Sequence, residues 1–255
     1  MSLPGASVSR VLGSLFDVLF PRRCPGCGGS TWPFCERCRE ELVPLTPPWC
    51  TRCGRPSESD VDVCEECPPE PLVSARAPFL FSGAARAAIH RLKFAGWRSA
   101  AEALGEAMVA VNEFGADAVT WVPLSRARLA ERGYDQARAL AAIVAERLRL
   151  PCTRLVVRTT STAPQARRTG PERRRAMLGM FRLAGRAPPS RVLLVDDVLT
   201  TGATAAGCAR ALVGAGAVEV GLLAAARAVS GPLPGEGYTR LGSRLGLWLP
   251  GDPPR

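Results

Sequence analysis

A chain of 255 residues with 47% hydrophobic and 22% charged side chains can bury a sizeable core, which excludes a wholly disordered protein and sets one or two domains as the expectation. No apolar run approaches the ~20 residues that cross a bilayer, and the N-terminus lacks the cationic stretch and small-residue cleavage site of a signal peptide. A cytoplasmic protein with no membrane-spanning segment is therefore expected. The net charge of +10 favours anionic partners, either phosphorylated ligands or nucleic acid, and it lies entirely beyond residue 70, because residues 1–70 hold seven Arg against ten acids. Lys93 is the single lysine among the 33 basic residues, a skew read as base composition rather than mechanism.

In chain order, residues 8–20 carry Val8, Val11, Leu12, Leu15, Phe16 and Leu19 at helical spacing, with Ser7 as N-cap, so an N-terminal helix is expected within residues 1–23. Its one basic residue, Arg10, favours packing on the protein over a membrane surface. Four Cys-x-x-Cys pairs follow within residues 24–70: Cys24/Cys27, Cys35/Cys38, Cys50/Cys53 and Cys64/Cys67, with no His among them. Each pair can grip one metal, two pairs complete a tetrahedral four-cysteine zinc site, and the interspersed Gly and Pro suit the knuckle turns. Few large apolar side chains are present, so metal is expected to supply folding energy. Structural Zn2+, one or two ions, is the reading. Sequential pairing is the simplest arrangement; interleaved pairing, a single occupied site and an iron–sulfur cluster stay open. Cys152 and Cys208 stand apart and read as buried apolar residues.

Pro68-Pro69-Glu70-Pro71 reads as a linker into a domain over residues 71–230. Ala75 to Phe81 alternates like a strand, and Ala84 to Phe94 is helical, carrying the only histidine, His90, in a surface or structural role. Residues 99–113 form an amphipathic helix, and Ala118 to Val122 a strand ended by Pro123. A basic loop with Ser125, Arg126 and Arg128 follows, then a helix to about Leu150. Arg154 to Arg158 reads as a third strand. From Arg154 to Arg191 there are ten arginines and one acid, and the middle of that stretch reads as a mobile loop. Glu172-Arg173-Arg174-Arg175 starts a short helix whose Leu178 and Phe181 dock on the core. Ala217 to Ala226 is the last strand, and the Pro/Gly/Arg-rich residues 231–255 read as a disordered tail.

The most informative stretch is Val192 to Thr204, an apolar run ending in Asp196-Asp197, then Thr200-Thr201-Gly202-Ala203-Thr204 opening onto an Ala-rich helix. In open α/β sheets ligands bind beyond the carboxyl ends of strands, and a helix N-terminus offers unpaired N–H groups and a positive dipole end to a phosphate. Two carboxylates beside a phosphate cradle suit a ligand that also has donors, as a ribose diol has. The pattern asks for a ribose 5-phosphate.

This stretch resembles the signature of type I phosphoribosyltransferases, which bind phosphoribosyl pyrophosphate (PRPP) with Mg2+. The resemblance implies an α/β fold, a parallel sheet flanked by helices, preceded here by the small four-cysteine zinc-ribbon module. It further implies that Asp196 and Asp197 hold the ribose hydroxyls and that Thr200, Thr201, Gly202, Ala203 and Thr204 hold the 5-phosphate. Ser125, Arg126 and Arg128 become candidates for the pyrophosphate, and Gln165, Arg167, Arg168, Arg173 and Arg174 for a closing lid. With the Cys pairs, Ile89 to Phe94, Val122-Pro123-Leu124, Glu131 to Gln136, Pro164-Gln165 and Glu172 to Arg175, the chain is similar to the ComF family, which includes the GntX proteins. Ser125, Asp135 and Ala176 stand where that family commonly has His, Asn and Asn. The resemblance implies a PRPP-binding protein that handles single-stranded DNA in competence or DNA uptake, beside a competence helicase. The alternative is an active Mg2+-dependent phosphoribosyltransferase that transfers ribose 5-phosphate to a nitrogen nucleophile with release of pyrophosphate. Thr200, where 6-oxopurine enzymes place an acid, and a lid without lysine favour binding over catalysis.

Overall fold

The computed structural model describes residues 22–159 and 180–230. The expected helix over residues 8–20, the lid residues Gln165, Arg167, Arg168, Arg173 and Arg174, and the tail from residue 231 lie outside the described residues. The elements, in order, are α1 (Glu36–Glu40), β1 (Leu72–Arg76), β2 (Phe79–Leu80), α2 (Gly83–Ala95), α3 (Arg98–Ala110), β3 (Ala118–Trp121), α4 (Arg126–Arg132) and α5 (Gln136–Leu148). They continue with β4 (Val156–Arg158), β5 (Phe181–Leu183), β6 (Arg191–Leu199), α6 (Ala203–Val213) and β7 (Glu219–Arg227).

One parallel sheet runs in the order β1-β7-β6-β3, with β2 continuing beside β7. The apolar runs in β6 and β7 have no polar alternation because both faces are covered, as parallel strands require. On one face α2, α3 and α5 pack over Leu193, Val195 and Leu223; on the other α6 and the β4–β5 pair cover Val192, Leu194 and Leu222. The helices are rich in Ala and approach closely. A Cβ on Gly105 of α3 would stand 2.7 Å from Ile143 of α5, so only glycine allows that crossing.

The Cys-rich segment straddles the β1 edge and contributes to both core layers. Cys24, Phe34, Cys38 and Leu42 pack with the α2/α3 side, whereas Leu45, Cys50 and Cys53 pack with the α6 side. Between them Leu45 N–H donates to Pro78 at 2.9 Å and Leu80 N–H to Val43 at 2.8 Å, capping an edge that would otherwise be open.

Several elements differ from the sequence expectation. The strand expected over Ala75 to Phe81 is two, separated at Ala77-Pro78. The loop expected to carry Arg126 and Arg128 is helix α4, which has no buried residue and hence no apolar periodicity to announce it. The third strand, β4, stands outside the main sheet and pairs antiparallel with β5, so Phe181 docks on the core from a strand rather than from a helix. Cys208 is buried as expected, but Cys152 is exposed, because residues 151–153 run along the outer edge of β3, bridging to Val119.

Candidate functional site

Strand β6 continues past its apolar residues, through both aspartates, to Leu199, and α6 starts four residues later. Adjacent residues on a strand face opposite ways, and this separates the acids. Asp197 is buried beneath the α2/α5 side, where its Oδ2 lies 3.0 Å from Lys93 Nζ and accepts from Gln136 Nε2 at 2.8 Å. Asp196 is partly exposed and faces the α6 side, and its Oδ1 accepts the Asp197 backbone N–H at 2.8 Å. Burial pushes the Asp196 carboxyl well above its ordinary range, the Asp197 charge adds to this, and the Asp197 N–H and Lys93 act against it. A donor-bearing or cationic ligand beside Asp196 would relieve that resistance to ionisation.

Between Asp196 and the first turn of α6 lies a shallow depression lined by Thr200, Gly202, Ala203 and Thr204. Gly202 is the N-cap of α6 with φ +70°, and its own carbonyl accepts from Ala206 N–H at 2.8 Å. A Cβ there would sit 2.6 Å from Cβ of Pro68, directly after Cys67. Glycine is thus needed twice, for its left-handed backbone and for contact with the end of the Cys-rich module. Thr200, Thr201 and Thr204 are exposed around the loop, and the Thr201 hydroxyl accepts from Ala203 N–H at 3.4 Å. The first-turn N–H groups of α6 have no partner within the helix, which leaves donors for an anion.

The segment after β3 reaches the same sheet edge, because Trp121 pairs with Val195 and Val122 N–H donates to Val195 at 2.9 Å. Ser125 caps α4, accepting from Arg128 N–H at 3.3 Å, and Arg126 and Arg128 are exposed on that helix. Asp135 caps α5 through Ala137 and Arg138 N–H and also accepts from Trp121 Nε1 at 3.2 Å. Both carboxylate oxygens are occupied, which gives an acid at this position work that a single amide oxygen could not do. Burial raises its carboxyl, opposed by those N–H groups.

Three residues of this neighbourhood escape a reading of the sequence. Lys93 and Gln136 come to Asp197 from the C-terminal turn of α2 and the first residue of α5. Arg158 of β4 is partly buried over Phe181, its guanidinium pushed down by burial and by the Arg128 charge. Lys93 is the single lysine of the chain, but nothing in its local sequence announces the contact with Asp197. His90 is exposed, its ring 4.6 Å from that of Phe94.

The eight cysteines of the four pairs gather sequentially into two groups, Cys24/Cys27/Cys35/Cys38 and Cys50/Cys53/Cys64/Cys67, with sulfurs within 4.8 Å of one another in each. Four thiolates around a tetrahedral zinc, at Zn–S ~2.3 Å, stand about 3.8 Å apart. The Cys24–Cys35 and Cys27–Cys35 separations are 3.8 and 3.7 Å; Cys50–Cys67, Cys53–Cys64 and Cys64–Cys67 are 3.5, 3.5 and 3.7 Å. Both groups fit structural zinc. Burial pushes the Cys24 thiol up, but the Cys35 and Cys27 N–H groups outweigh it and bring it to about 7. Cys50 reaches about 7 in the same way, chiefly through Cys53 N–H. Burial and the neighbouring sulfurs raise Cys38 and Cys53, so a cation is what lets all four ionise together.

Residues 15–68 match the family model of the double zinc ribbon domain. The chain is 30% identical over 207 residues to the DNA utilization protein YhgH of Escherichia coli K12, covering 74% of this chain and 88% of that protein. The YhgH of Salmonella typhimurium LT2 is 29% identical over 205 residues, covering 75% and 88%. Among solved structures, the Bacillus subtilis glutamine PRPP amidotransferase complexed with ADP and GMP aligns over 50% of this chain and 26% of its own, at 24% identity and a TM-score of 0.38. The chain thus spans about a quarter of that enzyme. Among the described residues no helix is long and apolar enough to cross a membrane.

Proposed function

The chain belongs to the ComF family, and from that premise we propose that it binds a 5-phosphorylated ribose ligand, PRPP, and serves in DNA utilisation by handling single-stranded DNA. The observation that carries the ligand reading is Asp196 beside the Gly202-capped start of α6, which pairs a carboxylate for the diol with N–H and hydroxyl donors for the phosphate. In this reading Thr200 to Thr204 surround the 5-phosphate. Asp196 takes a ribose hydroxyl directly. Asp197, held by Lys93 and Gln136, fixes the edge on which the ribose lies and offers its remaining oxygen. Ser125, Arg126 and Arg128 stand at the adjacent strand end, where the pyrophosphate would extend. Mg2+ carried by the ligand would offset pyrophosphate charge, and the Asp196 oxygens are hard donors of the kind it accepts. Gln165, Arg167, Arg168, Arg173 and Arg174 are proposed to cover the bound ligand. The DNA reading draws on the name of the relatives and on the arginine excess beyond residue 70.

Calorimetry of PRPP with Mg2+ into the wild type and into Asp196→Asn tests the site. Saturable binding that the variant loses is expected, and equal binding would refute it. A mobility shift of single-stranded DNA that weakens steeply with salt tests the DNA role. Stoichiometric pyrophosphate release against a panel of bases would instead favour the transferase alternative.

A further inference from the structure

Arg227, the last residue of β7, is 1% exposed and heads the fully buried side chains by size. Its Nη1 donates to the Cys53 carbonyl at 2.7 Å and its Nη2 to the Glu66 carbonyl at 3.2 Å, while Nε is buried without a partner. Both carbonyls belong to the second four-cysteine group: Cys53 is one of the four, and Glu66 lies between Cys64 and Cys67. The Glu66 carboxylate is turned to Arg55, at 3.0 Å, and no carboxylate among the described residues pairs with Arg227. A buried cation satisfied only by carbonyls is costly, by several kcal/mol in order of magnitude, so a counter-charge is required. Four thiolates around a divalent ion leave roughly two net negative charges, and Cys53, whose carbonyl Arg227 holds, is one of the four.

The first four-cysteine group offers a control. Arg91 of α2 reaches the Pro25 and Gly26 carbonyls there, but its guanidinium is partly exposed and lies 5.5 Å from the Trp97 ring centroid. That arginine needs no buried anion, whereas Arg227 does.

We propose that Arg227 is the charge-balancing and positioning residue of the second tetrathiolate site. The metal-held thiolates make the guanidinium tolerable in the core, and the guanidinium fixes the knuckle carbonyls of Cys53 and Glu66 against the sheet. The same residue is tied into the sheet through its backbone, accepting from Phe81 N–H at 2.7 Å and pairing with Leu199 beside the phosphate loop. The inference rests on the zinc reading and is independent of PRPP.

The test uses the full-length chain as Cys27→Ser, which leaves the second site as the intact tetrathiolate, with Arg227→Met and Arg227→Lys added. Zinc transfer to a chromogenic chelator and the sulfur-to-cobalt charge-transfer band of the Co2+-loaded protein are recorded. Arg227→Met is expected to release the second zinc about 10- to 100-fold faster and to move the band to lower energy, because a cation facing a thiolate holds its electrons more tightly. Arg227→Lys keeps the charge and is expected to keep the band near its wild-type position while releasing zinc at an intermediate rate. Should Arg227→Met not fold, Arg227→Gln replaces it, with the same band shift and faster release expected. An unmoved band in the uncharged variant, or unchanged release, would overturn the proposal.

Discussion

Replacing Lys93 by Met removes the only cation within ion-pair distance of Asp197 among the described residues and leaves a buried carboxylate. At 3.0 Å the attraction is about 5–6 kcal/mol for an effective dielectric of ~20. The desolvation of both charges offsets much of it, and stranding one partner of a fully buried pair costs about 3–5 kcal/mol. The two side chains are 21% and 10% exposed, and Gln136 keeps its hydrogen bond to Asp197. Discounting for that water access gives about 2 kcal/mol, or a Tm lower by about 4–8 °C in a protein of this size. Asn at 197 can still accept from Gln136 and carries no charge. The double variant Lys93→Met/Asp197→Asn is therefore expected within about 1 kcal/mol of wild type, well short of the sum of the single effects. Urea denaturation of the four proteins measures the cycle. A Lys93→Met protein as stable as wild type, or a double variant showing the full sum, would refute the pairing of these groups in the folded chain.

Three further outcomes are expected. Asp196→Asn should raise Tm at pH 7 in the absence of ligand, because burial and Asp197 oppose ionisation of this carboxyl in the folded state. A carboxyl with a raised folded pKa loses stability as pH rises through its unfolded value, so the gain should shrink toward ~pH 4; a pH-independent gain in scanning calorimetry would contradict this. Gly202→Ala should cost about 2–4 kcal/mol, combining a left-handed alanine with the overlap against Pro68, and denaturant midpoints check it. Elemental analysis should find two zinc ions per chain, and their removal by a chelator should lower Tm, since residues of both four-cysteine groups form part of the core; one ion would mean that one group is structural without metal.

What is legible in the sequence is what local pattern encodes. Strand β6 with its Thr/Gly loop, the Ala-rich helices and the four Cys-x-x-Cys pairs follow from periodicity, turn chemistry and spacing, whereas which pairs share a site is decided by the fold. What is not legible depends on distant parts of the chain. Lys93, Gln136 and Asp197 are brought together from three elements by the packing of α2 and α5 on the sheet. The β4–β5 pair joins segments more than twenty residues apart in a register that no local signal sets. Arg227 lies just past the strand expected over Ala217 to Ala226, and only the fold sets it against the Cys53 and Glu66 carbonyls. The opposite facing of Asp196 and Asp197 follows from strand geometry once β6 is known to run through them. It is hidden in the sequence because the apolar run stops at Val195, before the strand does.

The claim that the β6–α6 junction holds a ribose 5-phosphate is tested most directly at its own amides. On titration of PRPP with Mg2+, the amide resonances of Gly202, Ala203, Thr204 and Ala205 should shift in a saturable way, and ribose 5-phosphate alone should move the same set. Shifts absent from these residues and concentrated elsewhere would contradict the account.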